Sequence, residues 1–161
     1  MFNQTVYNGT LDQNYETLIK QAEAILDGEP DMTANLANAA ALLNQFLQDV
    51  NWVGFYLYHA EDNELVLGPF QGLPACIRIP YGKGVCGTAA AEQKTMRVDD
   101  VSQFPGHIAC DAASRSEIVV PIEKNNVLIG VLDIDSPVYD RFTEKEAKLL
   151  EKFIETLKVY I

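Results

Sequence analysis

The segment "PGHIACDAASRSEIVVPI", Pro105 to Ile122, sets Cys110 between a Gly-His turn and a polar run in which Asp111, Ser114, Arg115, Ser116 and Glu117 follow closely. A cysteine that only fills space usually keeps aliphatic company, and Cys110 does not. A thiol beside cations, here Arg115 and His107, has its pKa drawn below the free value of about 8.5 and becomes a nucleophilic thiolate. If such a thiolate is oxidised to a sulfenic acid, a second thiol within reach resolves it as a disulfide. Two other cysteines are available, Cys76 in "LPACIRI" and Cys86 in "KGVCGTAA".

The spacing of the three thiols leaves their use open. They lie ten and twenty-four positions apart with no C-x₂-C knuckle, which excludes a zinc ribbon and leaves a Cys₃His site with His107 as a formal alternative. Each could also be a small buried hydrophobe. Cys86, between Val85 and Gly87 beside a helix start, fits that description best.

Carboxylates are the second chemical feature. In "VLIGVLDIDSP" strand alternation puts Asp133 and Asp135 on one side with Ile129 and Val131, and Leu128, Leu132 and Ile134 on the other. Glu117 and Val119 share a face of the preceding strand, so a hairpin register brings Glu117 to the end of the Asp pair. Clustered acids raise at least one pKa, which keeps a proton available near neutral pH, and they suit an ammonium ligand. Asp133 and Asp135 equally fit the end of a strand before the turn at Ser136-Pro137. Trp52 and Tyr56 share a strand face and form either the wall of a small-ligand pocket, with the phenol as its polar handle, or plain sheet core.

These groups need a scaffold, and the periodicity describes one. Apolar spacing predicts a helix over Gln13 to Leu26 and a second, capped by Asp31 or Thr33, with Leu36, Ala40, Leu43 and Leu47 inward. From Asn51 the period changes to two, giving a hairpin around "AEDNE". A short strand, a Gly-rich turn, a helix from about Gly84 and a strand at Met96 to Val98 follow. Ser102 to Ser116 has no period and reads as a long functional loop. Strands at Glu117 to Glu123 and Val127 to Asp135 flank the turn "KNN". A last helix starts at the capping sequence "TEKE" and runs to about Tyr160. The expectation is one α+β domain: a mostly antiparallel sheet, terminal helices packed on one face, and loops covering the other.

Bulk properties narrow the partners. The 161 residues suit a single domain over 1–161, with an ordered core over about 13–160, and 48% hydrophobic residues suffice for a core without staples. The net charge of −11 and the absence of a basic cluster argue against nucleic acid and anionic membranes. No signal-peptide pattern or membrane-length apolar run is present, so a cytoplasmic location is expected. An odd number of cysteines in that setting argues for free thiols, metal or redox chemistry over a disulfide framework.

The segments "NWVGFYL", "LGPFQGLPACIRIPYGKGVCGTAA", "VDDVSQFPGHIACDAASRSEIVVPI" and "GVLDIDSP" closely resemble the free methionine-(R)-sulfoxide reductases, which are single GAF domains. The resemblance spans the chain from about Tyr15 to the last helix, and no departure occurs at the motif positions. It implies that Cys110 is the nucleophile, Cys76 the resolving thiol and Cys86 an alternative or secondary thiol. It further implies that Glu117, Asp133 and Asp135 are active-site carboxylates, with Asp135 or Glu117 donating the proton, and that Trp52 and Tyr56 belong to the substrate pocket. The implied reaction needs no metal or organic cofactor and is completed by an external dithiol such as thioredoxin; GAF domains also often pair as homodimers. A noncatalytic GAF sensor of small ligands or redox state is the alternative, since a fold does not fix a function.

Overall fold

The computed structural model describes residues 2–161. Its elements are α1 (Leu11–Leu26), α2 (Met32–Phe46), β1 (Trp52–His59), β2 (Glu64–Gly72), β3 (Arg78–Pro80), α3 (Gly84–Glu92), β4 (Met96–Val98), β5 (Ser116–Lys124), β6 (Val127–Ser136) and α4 (Glu144–Leu157), with short 3₁₀ turns at Val101–Gln103 and Lys158–Tyr160. Six strands form one sheet in the order β3-β2-β1-β6-β5-β4, antiparallel throughout. Among the described residues no helix is long and apolar enough to cross a membrane.

The helix boundaries follow from their caps. The Thr10 side chain accepts from the Gln13 amide while the Gln13 side chain accepts from the Thr10 amide. Asp31 caps α2 through the Ala34 amide, and Thr143 caps α4 through the Glu146 amide. Each of these caps satisfies an amide that the first helical turn leaves without a partner. Asn125 and Asn126 both adopt positive φ, 54° and 63°. That is the conformation a tight β5–β6 hairpin requires and asparagine tolerates.

One face of the sheet carries α1, α2 and α4. Val53, Phe55, Ile118, Val120, Leu132 and Ile134 point there and meet Leu18, Leu36, Leu43, Leu150 and Phe153 in a buried cluster. Burying a side chain of this size stabilises by about 1.5–3 kcal/mol. The inward stripe expected for the last helix, Ala147, Leu150, Phe153, Ile154 and Leu157, is buried throughout.

The opposite face is covered by α3 together with the loops, so loops alone do not close it: Val85, Cys86, Ala89 and Ala90 of α3 pack with Trp52, Tyr56, Val119 and Val131. A second departure from simple alternation occurs in β6. Ile122 pairs with Gly130 but Glu123 pairs with Leu128, leaving Ile129 as an extra residue. A β-bulge inverts the parity of everything beyond it. Ile129 accordingly packs against the helix-side cluster and Leu128 against the other, the reverse of the alternation expected from sequence.

Candidate active site

The second face holds a cavity whose lining includes Trp52, Tyr56, Cys86, His107, Cys110, Asp111, Ser114, Glu117, Asp133 and Asp135. Strand register explains the carboxylates. Glu117 lies opposite Asp135 and Val119 opposite Asp133 in the β5–β6 ladder, while Asp133 and Asp135 face Gly54 and Trp52 of β1. Three central strands thus present their odd-numbered acids, or the even-numbered aromatics of β1, to one small volume.

Gly54 makes that volume possible. It shares a face with Trp52 and Tyr56, and a Cβ there would stand 2.6 Å from Trp52 Cη2 and 2.3 Å from Phe70 Cβ. Without one, the indole stacks between Tyr56 and Phe70, with centroids 5.8 and 5.2 Å away. Both polar atoms of the aromatic pair are committed to the chain. Trp52 Nε1 donates to the Leu73 carbonyl at 3.1 Å and the Tyr56 hydroxyl to the Cys76 carbonyl at 2.9 Å. The phenol expected to offer a ligand its proton therefore pins the segment that carries Cys76.

Cys76 and Cys110 are joined as a disulfide, their Cα atoms 5.5 Å apart. Cys110 lines the cavity and Cys76 does not. Both cysteines are half-buried, and Cys76 packs against the cavity-side cluster. Cys86 is a free, buried thiol in the first turn of α3, its Sγ 3.9 Å from Glu117 Oε1. It is core-like in burial, as its neighbours suggested, and it also lies among the acids.

Two cations placed beside Cys110 by sequence have other surroundings. Arg115 is exposed, and its Nη1 donates to the carbonyls of Ala112 and Ser114 in its own loop. It does not line the cavity. His107 does, but its Nε2 lies 3.6 Å from Glu117 Oε2. Burial lowers its pKa.

The setting of the acids raises their pKa values. Burial, then the Asp135 charge, pushes Glu117 up to about 8, against hydrogen bonds from Asp133 and Cys86 that pull it down. Burial first and Glu117 second hold Asp133 well above the usual carboxylate range, and burial with Asp133 does the same for Asp135. No lysine or arginine lines the cavity to offset them. Asp133 Oδ1 is buried with no hydrogen-bond partner. A cluster of this kind holds protons at neutral pH and attracts a cationic group.

Three contributors were not singled out for the pocket from sequence. Asn51 Nδ2 donates to Asp111 Oδ2 at 2.9 Å and to Ser114 Oγ at 3.2 Å, tying the Cys110 loop to the start of β1. Asp111 and Ser114 were noticed only as polar neighbours of Cys110, and Asn51 only as a strand start. The signal for all three was a polar residue at a strand or loop junction, which is too common to be diagnostic. The amides of Gly84, Val85 and Cys86, at the cavity edge, find no protein acceptor among the described residues. The first turn of a helix leaves them so.

Comparison with known proteins agrees with this geometry. The GAF domain family model matches residues 31–161. Protein YtsP of Bacillus subtilis is 57% identical over 158 residues, covering 98% of this chain and 97% of its own. The free methionine-R-sulfoxide reductase of Escherichia coli is 53% identical over 144 residues, covering 89% and 86%. Among solved structures, a free methionine-R-sulfoxide reductase from Neisseria meningitidis in complex with its substrate superposes with a TM-score of 0.90 at 43% identity, covering 98% of this chain and 95% of that one.

Proposed function

Since this chain belongs to the GAF-domain family and, within it, to the free methionine-R-sulfoxide reductases, we propose that it reduces free methionine-R-sulfoxide to methionine with Cys110 as nucleophile. The observation that carries this reading is a disulfide beside a cavity that gathers three buried acids and has no lysine or arginine in its lining.

Each step uses a group already placed. The Cys110 thiolate attacks the sulfoxide sulfur while Glu117, which keeps its proton up to about pH 8, protonates the oxygen. The attack forms a bond between Cys110 Sγ and the substrate sulfur; the hydroxyl then passes to Cys110 Sγ as the S–O bond and that S–S bond break, so methionine leaves as the thioether and Cys110 becomes a sulfenic acid. The Cys76 thiol then attacks Cys110 Sγ, water departs, and the Cys76–Cys110 disulfide forms. An external dithiol, thioredoxin in this reading, reduces it by exchange. Its thiolate attacks Cys76, and Cys110 leaves as a thiolate. Cys86 takes no part in this sequence, and neither metal nor organic cofactor is needed.

Binding follows from the same chemistry. Asp133, whose Oδ1 lacks a partner, and Asp135 take the α-ammonium, and its charge offsets the acids' mutual repulsion. The free amides at the start of α3 suit the α-carboxylate, and Trp52 with Tyr56 contacts the side-chain carbons. In the disulfide form the cavity encloses about 30 Å³, room for water and not for an amino acid. On this reading the cavity widens when the disulfide is reduced, and its small size favours a free amino acid over a polypeptide.

The deciding experiment supplies dithiothreitol and, in separate reactions, free methionine-R-sulfoxide, the S epimer and a peptide-bound sulfoxide. Turnover of the first alone is expected, with Cys110→Ser inactive; a protein that turns over none of them is a sensor. A thioredoxin lacking its resolving cysteine is expected to be captured on Cys76, as peptide mapping would show. The reading includes a cytoplasmic setting, whose reducing power suits a thiol enzyme, and a homodimer through the terminal helices, to be checked by solution mass.

A further inference from the structure

We propose that Cys86, Glu117 and Asp133, with His107 as a fourth donor, bind a zinc-class divalent cation that inhibits the enzyme by occupying the place of the substrate's ammonium.

The donor atoms are already gathered. One ligand atom each from Cys86, Glu117 and Asp133 lies within 4.8 Å of the other two, and all three residues are buried. Cys86 Sγ is 3.9 Å from Glu117 Oε1, and His107 Nε2 is 3.6 Å from Glu117 Oε2. Ligand bonds of about 2.0–2.3 Å around a tetrahedral zinc ion set neighbouring donors roughly 3.5 Å apart, so Cys86, Glu117 and Asp133 need only small side-chain movements, and His107, outside that group, moves further to join them.

Asp133 supplies the independent sign that something belongs there. It is 6% exposed, it lines the cavity, and its Oδ1 has no hydrogen-bond partner. A buried oxygen left without a partner is costly. With no lysine or arginine in the lining, a cation from outside is what that oxygen lacks.

The donor set selects the ion. One thiolate, one imidazole and two carboxylates suit Zn²⁺ or Co²⁺, whereas Mg²⁺ and Ca²⁺ take oxygen ligands. Binding releases the Cys86 thiol proton, and any carboxyl protons, to solvent. Because Cys86 is free while Cys76 and Cys110 are joined, the site persists in the disulfide form.

The binding half of this proposal stands on geometry; the inhibition half rests on the functional reading above. In the disulfide-bonded protein, Cys86 is the thiol available to metal, so Co²⁺ is added to that form. One equivalent is expected to bind with the absorption of a tetrahedral ion and a thiolate-to-cobalt charge-transfer band, both lost on adding Zn²⁺. Cys86→Ser is expected to abolish the charge-transfer band and weaken Zn²⁺ binding by roughly tenfold or more. Asp133→Asn should weaken it with the band retained, and circular dichroism confirms that both variants fold.

For inhibition, pre-reduced protein freed of reductant is given free methionine-R-sulfoxide for a single turnover. Zn²⁺ is expected to slow the reaction, excess sulfoxide to relieve it, and Cys86→Ser to need more Zn²⁺. Sub-stoichiometric binding, or binding indifferent to both substitutions, would overturn the site. Metal-free turnover that saturating Zn²⁺ leaves unchanged would overturn the inhibition, whereas absence of metal-free turnover would sink the functional reading and leave the Co²⁺ result standing.

Discussion

Glu146 and Glu117 are buried to nearly the same degree, 6% and 5% exposed, and differ in their partners. Glu146 lies on the helix side, where Oε1 accepts from the Tyr15 hydroxyl at 3.0 Å and Oε2 from Arg141 Nη1 at 2.7 Å. Arg141 is itself held by the Gln48 carbonyl and by stacking on Phe142. Glu117 lies on the cavity side beside a thiol, an imidazole and two further acids. A buried carboxylate with a fixed cation is a strut, and one whose cation must arrive from solution is a reagent.

The sharpest way to break this contrast is Glu117→Gln. It removes the proton donor of the proposed reaction, and on that reading kcat/KM is expected to fall by about 10²–10⁴-fold. The wild-type profile should decline as pH rises through about 8; the variant's residual activity should lose that limb. Stability should move in the same direction with pH. The folded state holds the Glu117 proton that the unfolded chain releases above its ordinary value, so stability is greatest below that value and falls as pH rises toward 8. Melting curves from pH 5 to 8 should therefore show a shallower decline in the variant.

Arg141→Met tests the other member. It strands Glu146 without its cation and should cost about 3–5 kcal/mol in denaturant unfolding, while turnover per folded molecule stays near wild type. Gly54→Ala intrudes on Trp52 and Phe70 and is expected to cost about 1–3 kcal/mol, with a raised KM as the indole shifts. Tyr15→Phe is the mildest change. Removing one of the two partners of Glu146 should cost about 1 kcal/mol and leave the pH profile of activity untouched.

Legibility in the sequence followed the same division. The helix side was open to periodicity because its apolar residues recur at fixed intervals, and the caps at Asp31 and Thr143 mark their own positions. The convergence of Glu117 with Asp133 and Asp135 was expected from a hairpin, but the two-residue turn alone would set Glu117 opposite Ile134, and it is the bulge at Ile129 that brings Glu117 opposite Asp135. Failures came where periodicity stops. The bulge at Ile129 inverted the facing of Leu128 and Ile129. Arg115 is near Cys110 in sequence, but in an aperiodic loop such nearness says nothing about direction, and its guanidinium turned to its own carbonyls. The Tyr56 hydroxyl found a backbone partner twenty residues away, which no local pattern encodes.

The bond between Cys76 and Cys110 links the segment after β2 to the loop ahead of β5, 34 residues further on. One covalent tie thus fastens two aperiodic stretches that the sheet does not pair with each other, and its reduction would let them move independently.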